Sequence, residues 1–225
     1  LDEWVQNAQT KKVLNYKVIA LDKRIAAHCA EKNWPHIYNA SLDIPGGDED
    51  MAFESKSFMR IGLFKFAWIA RLLADDITFL MTELDIFIAK NPFDCTGFST
   101  NVDEYTCVGK HAAFDIEIQP NMIPRATVQR GTELNIGFMF FRPTRATKRL
   151  VSDVIAAIRE TNDWDQKVFS TLAWRDQCAF ADDNAGRAPS YVGAELHGTL
   201  CCDGLKLRVL PVWYFPTGGR KSQTG

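Results

Sequence analysis

The sequence predicts an α/β fold in which helices flank a mixed, mostly parallel sheet. Short continuous apolar runs, typical of buried strands, alternate with longer segments whose apolar residues recur at helical spacing. Of the 225 residues, 46% are hydrophobic and 24% charged, a composition that supports one substantial core. No repeat or linker-like stretch divides the chain. We therefore expect a single domain over residues 1–225, truncated at both ends.

The first half of the chain contains two expected strands and two expected helices. Residues 18–21 form a short apolar run, and residues 23–33 carry apolar side chains at helical spacing before Pro35. The clearest helical pattern covers residues 57–74, where a wide apolar surface surrounds three basic residues. Residues 77–81 are again a continuous apolar run of strand length.

The second half continues the alternation after a region rich in loop signals. Proline, glycine and asparagine punctuate residues 94–130, and the last expected strand alternates apolar with basic residues, which predicts half exposure. The expected elements are, in order, strands at 114–118 and 134–141, helices at 147–160 and 167–174, and a strand at 205–210.

Charge and hydropathy exclude two classes of partner. Lys plus Arg number 26 and Asp plus Glu 28, so the net charge of −2 gives no reason to expect binding to nucleic acid. The longest run without a charged residue, 209–219, has 11 residues, so no segment of the chain is long enough to span a membrane.

The cysteines and a glycosylation sequon leave the compartment open. None of the six cysteines forms a C-x-x-C pair, and the sequence selects none of their possible disulfide pairings. The sequon at Asn39-Ala40-Ser41 matters only in a secretory compartment. The chain also lacks the sequence motifs of Rossmann dehydrogenases, P-loop proteins, α/β-hydrolases and zinc proteases.

Two acids stand two positions apart just after a buried apolar run. In extended backbone, Glu83 and Asp85 point to the same side, at the carboxyl end of a strand, where α/β sheets bind ligands. Such paired oxygens suit Mg²⁺ or Mn²⁺ bound to a diphosphate. The alternative is a surface turn with two solvated acids, but the apolar runs on both sides disfavour it.

The order of these motifs resembles the nucleotide-diphospho-sugar transferase family, the GT-A-fold glycosyltransferases related to plant arabinosyl-, xylosyl- and galactosyltransferases (glycosyltransferase family 77). The resemblance covers residues from about 17 to 219. Its motifs are the helix with Lys65, the strand before Glu83-Leu84-Asp85, Asn91-Pro92, the segment Asn135-Ile136-Gly137 with the apolar residues after it, Asp165-Gln166, Val209-Leu210-Pro211 and Phe215. It implies a GT-A, Rossmann-like fold.

The resemblance assigns roles to the acid pair and the strand after it. It implies that Asp85 binds the divalent metal, Mn²⁺ or Mg²⁺, and that Glu83 reaches the metal or the donor ribose. Asn135 would hydrogen-bond sugar hydroxyls, and Gly137 would let the backbone approach the ligand. The alternative for Gly137 is a bulge in the strand.

The resemblance also implies roles for residues on other elements. Asp165 and Gln166 would face the transferred sugar, with Asp165 as nucleophile or as the carboxylate that stabilises the cationic centre. Their alternative is a polar helix start, and a rival pair exists at Asp176-Gln177. Lys65 would reach the donor's phosphates or nucleotide, unless it is a charge that snorkels off an apolar helix. Asp22 would face the nucleoside.

Together the resemblance implies a metal-dependent retaining glycosyltransferase. It would move a sugar from a nucleotide diphosphate donor, a UDP-sugar first of all, to a hydroxyl of a glycan or glycoprotein, in the Golgi lumen or secretory pathway; a cytoplasmic location is the alternative. Two departures motivate a different class, a catalytically silent domain that serves as a structural or glycan-binding subunit. The acid pair opens with Glu83 rather than aspartate. The family also places a metal-binding histidine after the segment that corresponds to residues 210–219. This sequence has no histidine there, since His197 lies before that segment.

Overall fold

The computed structural model describes residues 1–40, 56–94, 107–109, 114–121, 133–174, 179–181, 199–202 and 204–210. In this part the chain is an α/β protein, as the sequence predicts. The helices are α1 (Asp2–Thr10), α2 (Lys23–Glu31), α3 (Lys56–Ala74), α4 (Arg145–Thr161) and α5 (Asp165–Ala173). The strands are β1 (Val18–Ala20), β2 (His36–Tyr38), β3 (Phe79–Thr82), β4 (Ile116–Pro120), β5 (Leu134–Phe141), β6 (Ala179–Ala181), β7 (Thr199–Cys202) and β8 (Leu205–Val209).

The described strands form a main sheet in the order β3-β5-β4-β8-β7-β6 and a separate pair, β1-β2. Only the pairs β4–β8 and β1–β2 among them are parallel. The remaining pairs, β3–β5, β4–β5, β6–β7 and β7–β8, are antiparallel. The sheet is therefore mixed, as expected, but the expectation that it is mostly parallel is wrong. An apolar run reports that a strand is buried and not which way its neighbour runs, and β5, the next described element after β4, pairs with it antiparallel.

The strand β5 bulges against β4 near its beginning. Ile118 pairs with Met139, yet the next residue, Gln119, pairs with Asn135, so residues 136–138 have no counterpart on β4. Bulges of this kind bend a strand and redirect its side chains. Within this one, the carbonyl of Gly137 accepts a hydrogen bond from the backbone N–H of Glu83, the residue after β3.

Three helices cover one face of the main sheet. The apolar stripes of α3, α4 and α5 pack on the inward side chains of β4, β5 and β8 in one continuous core. Thr144 caps α4 by accepting a hydrogen bond from the backbone N–H of Thr147, and Asn162 ends the helix in the left-handed conformation. The short connection brings α5 in directly beside α4, where Phe169 of α5 stacks on Phe66 of α3.

The opposite face of the sheet buries a charge pair. Arg208 Nη1 of β8 lies 2.8 Å from Glu117 Oε2 of β4, and both side chains are almost inaccessible to solvent. The other Glu117 oxygen accepts a hydrogen bond from the backbone N–H of Gly109. The alternating pattern of 205–210 predicts exposure for both basic residues, but only Lys206 is exposed, whereas Arg208 is buried because a carboxylate neutralises it.

The first two helices belong to an N-terminal layer. Asp22 caps α2, since its carboxylate accepts a hydrogen bond from the backbone N–H of Ile25. The side-chain amide of Asn7 in α1 pairs with both backbone groups of Ile88, which joins this layer to the segment after β3. No helix in the described ranges is long and apolar enough to cross a membrane.

The sequence interpretation omits α1, β2, β6 and β7. The two strands β2 and β6 have three residues each, and β7 has four. Runs this short contain too few residues for a period to be recognised. The helix α1 is polar along most of its length and buries Val5 and Ala8 alone among its nine residues, so its apolar stripe is narrow.

Candidate active site

Lys65 lies between two carboxylates from different parts of the fold. Its Nζ is 2.5 Å from Glu83 Oε1 and 2.8 Å from Asp165 Oδ2. The side chains of Lys65 and Asp165 are only 14% and 9% exposed, whereas that of Glu83 is 41% exposed. The ammonium group therefore holds one buried acid and one acid that opens toward solvent. It does not snorkel off its helix as a solvated charge.

The packing of α3 fixes the stem of Lys65. The neighbouring residue Phe66 is fully buried, and Ile69 and Leu73 continue its stripe along the helix into the core. Because these anchors fix the rotation of α3, Lys65 lies at the edge of the stripe, and its long side chain reaches the end of β3 and the start of α5.

Asp165 and Gln166 open α5 and are both buried. One carboxylate oxygen of Asp165 accepts a hydrogen bond from the backbone N–H of Gln166, and the other pairs with Lys65. A carboxylate at this position is favoured by the partial positive charge of a helix N-terminus. The amide oxygen of Gln166 accepts a long hydrogen bond, 3.4 Å, from the backbone N–H of Ile136, so Gln166 supports the bulge in β5.

Asn135 and Gly137 lie in that bulge. The Asn135 side-chain oxygen accepts a hydrogen bond of 2.8 Å from the Gly137 N–H. A side chain on Gly137 would begin 3.1 Å from Glu83 Oε2, closer than the neighbouring carboxylate tolerates without moving. Gly137 therefore lies in a strand bulge, as the alternative interpretation states. It also lies close to the Glu83 carboxylate.

Glu83 and Asp85 do not lie in extended backbone, and that expectation is wrong. The strand β3 ends at Thr82, and residues 83–86 make a turn in which the N–H of Ile86 bonds to the carbonyl of Glu83. The turn sends Glu83 inward and leaves Asp85 exposed. No partner for the Asp85 carboxylate is found among the described residues, and the side chains of Leu84 and Phe87 beside it are 55% and 74% exposed.

The structure thus brings together six of the predicted residues in one chain of contacts, which we call the Lys65 cluster: Lys65, Glu83, Asn135, Gly137, Asp165 and Gln166. Asp85 lies at its solvent side. Asp22 is not part of it, since the described contacts of its carboxylate are those of a helix cap. The rival pair Asp176-Gln177, His197 and residues 211–219 of the resemblance lie outside the described residues.

The oxygen ligands beside the cluster fit a hard divalent cation that is bound together with a diphosphate. Mg²⁺ and Mn²⁺ are commonly held by one or two carboxylates plus substrate phosphates, with water completing the shell. Asp85 is exposed and available for this, and Glu83 shares its turn but is already held by Lys65. Within the described ranges no group of three or more His, Cys, Asp or Glu side chains could hold a metal without a substrate.

A second acid near the start of α5 is distinct from the cluster. Asp163 accepts hydrogen bonds from the Lys167 ammonium, at 2.6 Å, and from the Trp164 backbone N–H, and these hold the pKa of its carboxyl below the ordinary value. Its position at the surface makes it a useful control for Asp165.

Ser170 is a residue of the site that sequence reasoning misses. Its hydroxyl accepts a hydrogen bond of 2.9 Å from the backbone N–H of Leu134, the first residue of β5. A serine inside a helix carries no such signal in the sequence, because its partner is distant along the chain. Ser170 and Gln166 together fasten α5 to the bulged end of β5.

This chain is similar to two curated plant proteins and to one protein family. Arabinosyltransferase RRA1 of Arabidopsis thaliana is 28% identical over 177 residues, which cover 74% of this chain and 42% of that protein. Arabinosyltransferase RRA2 of the same plant is equally similar and is covered to 40%. The chain thus spans about two fifths of the length of these curated relatives, and no solved structure matches it. Residues 11–224 match the nucleotide-diphospho-sugar transferase family, to which this chain therefore belongs.

Proposed function

We propose that this protein is a glycosyltransferase that moves a sugar from a nucleotide diphosphate donor, with UDP as the first candidate nucleotide. Family membership supports the reaction class, and the family implies a GT-A-like α/β fold. The single observation that links the proposal to particular residues is the placement of Lys65 between Glu83 and Asp165, beside the exposed Asp85.

The charge of this region supports a donor bound with a divalent cation. At neutral pH one lysine faces three carboxylates if Asp85 is included, so the formal charge is negative and would repel a bare diphosphate. A divalent cation at Asp85 would neutralise that charge and remove the repulsion. When bound, Mn²⁺ or Mg²⁺ would take up the charge that develops on the leaving diphosphate. Lys65 supplies a positive charge beside this position.

Asp165 is the proposed carboxylate that faces the anomeric carbon. It is almost buried, so its charge acts in a medium where electrostatic interactions are stronger than in water. Lys65 holds one of its oxygens and keeps the group oriented. In this proposal Asp165 stabilises the positive charge of the sugar as the donor bond breaks, with retention of configuration, and Asn135 holds a sugar hydroxyl.

The arabinosyltransferase relatives suggest a pentose as the sugar to test first. The proposed acceptor is a hydroxyl of a glycan or glycoprotein. It would approach from the solvent side of the turn at residues 83–86, where Leu84, Asp85 and Phe87 are exposed.

The secretory pathway is the proposed compartment. Cys107 is disulfide-bonded, and disulfides persist mainly in oxidising compartments. Cys29 is a free thiol whose pKa is raised by burial. Alkylation of the unreduced protein followed by mass spectrometry tests this: Cys107 should stay unmodified until a reductant is added.

A catalytically silent domain that serves as a structural or glycan-binding subunit is the second candidate. The observation that favours it is that Glu83, which opens the acid pair, is already neutralised by Lys65 rather than free for a metal. This candidate predicts that no nucleotide-sugar donor is turned over.

The test is a donor screen with the full-length protein in Mn²⁺, in which UDP release from UDP-arabinose, UDP-xylose and UDP-galactose is measured. Release from one of them should fall at least about 100-fold in Asp165→Asn, while UDP affinity changes little. Asp163→Asn is the matched control, since it alters an acid two residues away that is paired at the surface. Folded protein that releases UDP from none of these donors would favour the silent domain.

A further inference from the structure

A glycine one turn before Lys65 on α3 touches the proposed reactive acid. If Gly62 carried a Cβ atom, that atom would lie 2.6 Å from Asp165 Cβ, 2.7 Å from its Cγ and 2.8 Å from its Oδ2. Carbon atoms that are not bonded pack at about 3.5–4 Å, so no other residue fits at this place without movement. Gly62 is buried, and the contact is one between α3 and the first residue of α5.

We infer that Gly62 is a positioning residue that seats Asp165 against α3, so that Lys65 can hold the carboxylate in place. The catalytic consequence of this inference rests on the proposed function, whereas the seating of Asp165 does not.

The clash could not be relieved by rotation of a flexible side chain. The nearest atom is the Cβ of Asp165, which moves only with the backbone of α5. That backbone is fastened to β5 by Ser170 and Gln166 and to α3 by the stacking of Phe169 on Phe66. A methyl group at position 62 must therefore displace the start of α5 by roughly 1 Å, because packed interiors transmit such strain.

A displacement of that size matters to the chemistry more than to the fold. Lys65 and Asp165 are only 2.8 Å apart, and a shift of about 1 Å opens a hydrogen-bonded ion pair into a weak contact. Misplacement of a reacting group by that distance can lower turnover about 100-fold. Glycine otherwise weakens a helix interior, so close approach is the physical reason for glycine at this position.

The first test is a double-variant cycle on the full-length protein, with Gly62→Ala, Asp165→Gly and the combination. Asp165→Gly removes the atoms that the new methyl group would meet. We expect Gly62→Ala to lower the urea midpoint in the presence of Asp165 and to raise or preserve it in the Asp165→Gly background, because alanine favours a helix. Equal effects of Gly62→Ala in both backgrounds would overturn the inference.

The second test follows the ion pair directly. The ¹⁵N resonance of the Lys65 ammonium, assigned through Lys65→Arg, should be sharp and protected from exchange in the unaltered protein and lost in Gly62→Ala. Ile69→Val is the control, since it perturbs a fully buried residue of the same helix without touching Asp165. A Lys65 signal that Gly62→Ala leaves unchanged would contradict the inference, whether or not the protein proves to be a transferase.

The third test separates positioning from general destabilisation. On the donor found in the screen, Gly62→Ala should lower kcat about 100-fold with the donor KM within about threefold, whereas Ile69→Val should keep kcat within about twofold. Equal kcat losses in the two variants would show that Gly62 acts through stability alone. Absence of turnover in the unaltered protein would refute the proposed function. The double-variant cycle and the Lys65 ammonium signal would still show whether Gly62 positions Asp165.

Discussion

Lys65 Nζ lies 2.8 Å from Asp165 Oδ2, although the two side chains come from helices on either side of a helix–helix contact. The same ammonium group reaches Glu83 at the end of β3. One cation therefore connects three elements of the fold at the edge of the sheet. This link explains why a lysine is tolerated with 14% exposure, since burial of a lysine requires a carboxylate partner.

Removal of that cation should destabilise the protein. Lys65→Met keeps much of the side-chain volume but leaves Asp165 buried without its counter-charge. We expect the free energy of unfolding to fall by about 2–4 kcal/mol in urea titrations at pH 7. Lys148→Met is the matched control, because Lys148 pairs with Asp76 at the surface, and it should cost less than about 1 kcal/mol. Equal losses in the two variants would mean that Lys65 is not buried between carboxylates.

The junction of α5 with β5 should depend on one hydroxyl. Ser170→Ala leaves the buried backbone N–H of Leu134 without its acceptor, so we expect a loss of about 1–3 kcal/mol in the free energy of unfolding. Thr161→Ala removes an exposed hydroxyl that donates to the Ala157 carbonyl within α4 and accepts from the backbone N–H of Asp163, groups that water can replace, and should change it by less than about 0.5 kcal/mol. A Ser170→Ala protein as stable as the parent would exclude the bond.

The buried pair on the other face should behave as a unit. Glu117→Gln removes the carboxylate charge that pairs with the buried Arg208 guanidinium and should cost about 3–5 kcal/mol of unfolding free energy. The double variant Glu117→Leu with Arg208→Met removes both charges and should lose less than Glu117→Gln alone. Urea unfolding of the single and double variants measures the coupling, and a double variant that loses the sum of both single effects would contradict it.

Asp163 should contribute to the decrease in the free energy of unfolding at acidic pH. The Lys167 ammonium holds the pKa of this carboxyl below its ordinary value in the folded chain, so the charged form stabilises the fold above the unfolded pKa of about 3.9. The contribution should be lost as the pH falls through the lower folded pKa. Asp163 is partly exposed, so we expect less than about 1 kcal/mol.

Urea titrations of Asp163→Asn and the parent at pH 6 and pH 2.5 measure it. The difference between the two proteins should be present at pH 6 and shrink at pH 2.5. A difference that grows on acidification would have the wrong sign.

Much of the fold is accessible from local sequence pattern, because long apolar periods are local. The expected strand at 134–141 coincides with β5, and the helix expected at 57–74 differs from α3 by one residue. Strand direction was predicted wrongly, since an antiparallel pairing such as that of β3 with β5 depends on residues far apart in the chain. For the same reason the local pattern predicts that Arg208 is exposed, whereas its pairing with Glu117 on the neighbouring strand allows it to be buried.

The residues of the candidate site were accessible through motif order, but their arrangement was not. The pattern acid-x-acid predicts two carboxylates on one side, whereas a turn after Thr82 separates Glu83 from Asp85. A turn closed by one backbone hydrogen bond leaves no signature among these residue types. The roles of Gly62 and Ser170 were invisible, since each depends on a single contact with another element.

The most direct measurement is a calorimetric titration of the full-length protein with UDP, with and without Mn²⁺, beside Asp85→Ala. The account predicts binding that requires Mn²⁺ and weakens at least tenfold in Asp85→Ala. Asp76→Ala, which removes an exposed carboxylate paired with Lys148, should bind UDP as the parent does. Folded parent protein that binds no UDP in Mn²⁺, or that binds it equally well without Asp85, would contradict a donor site at this end of β3.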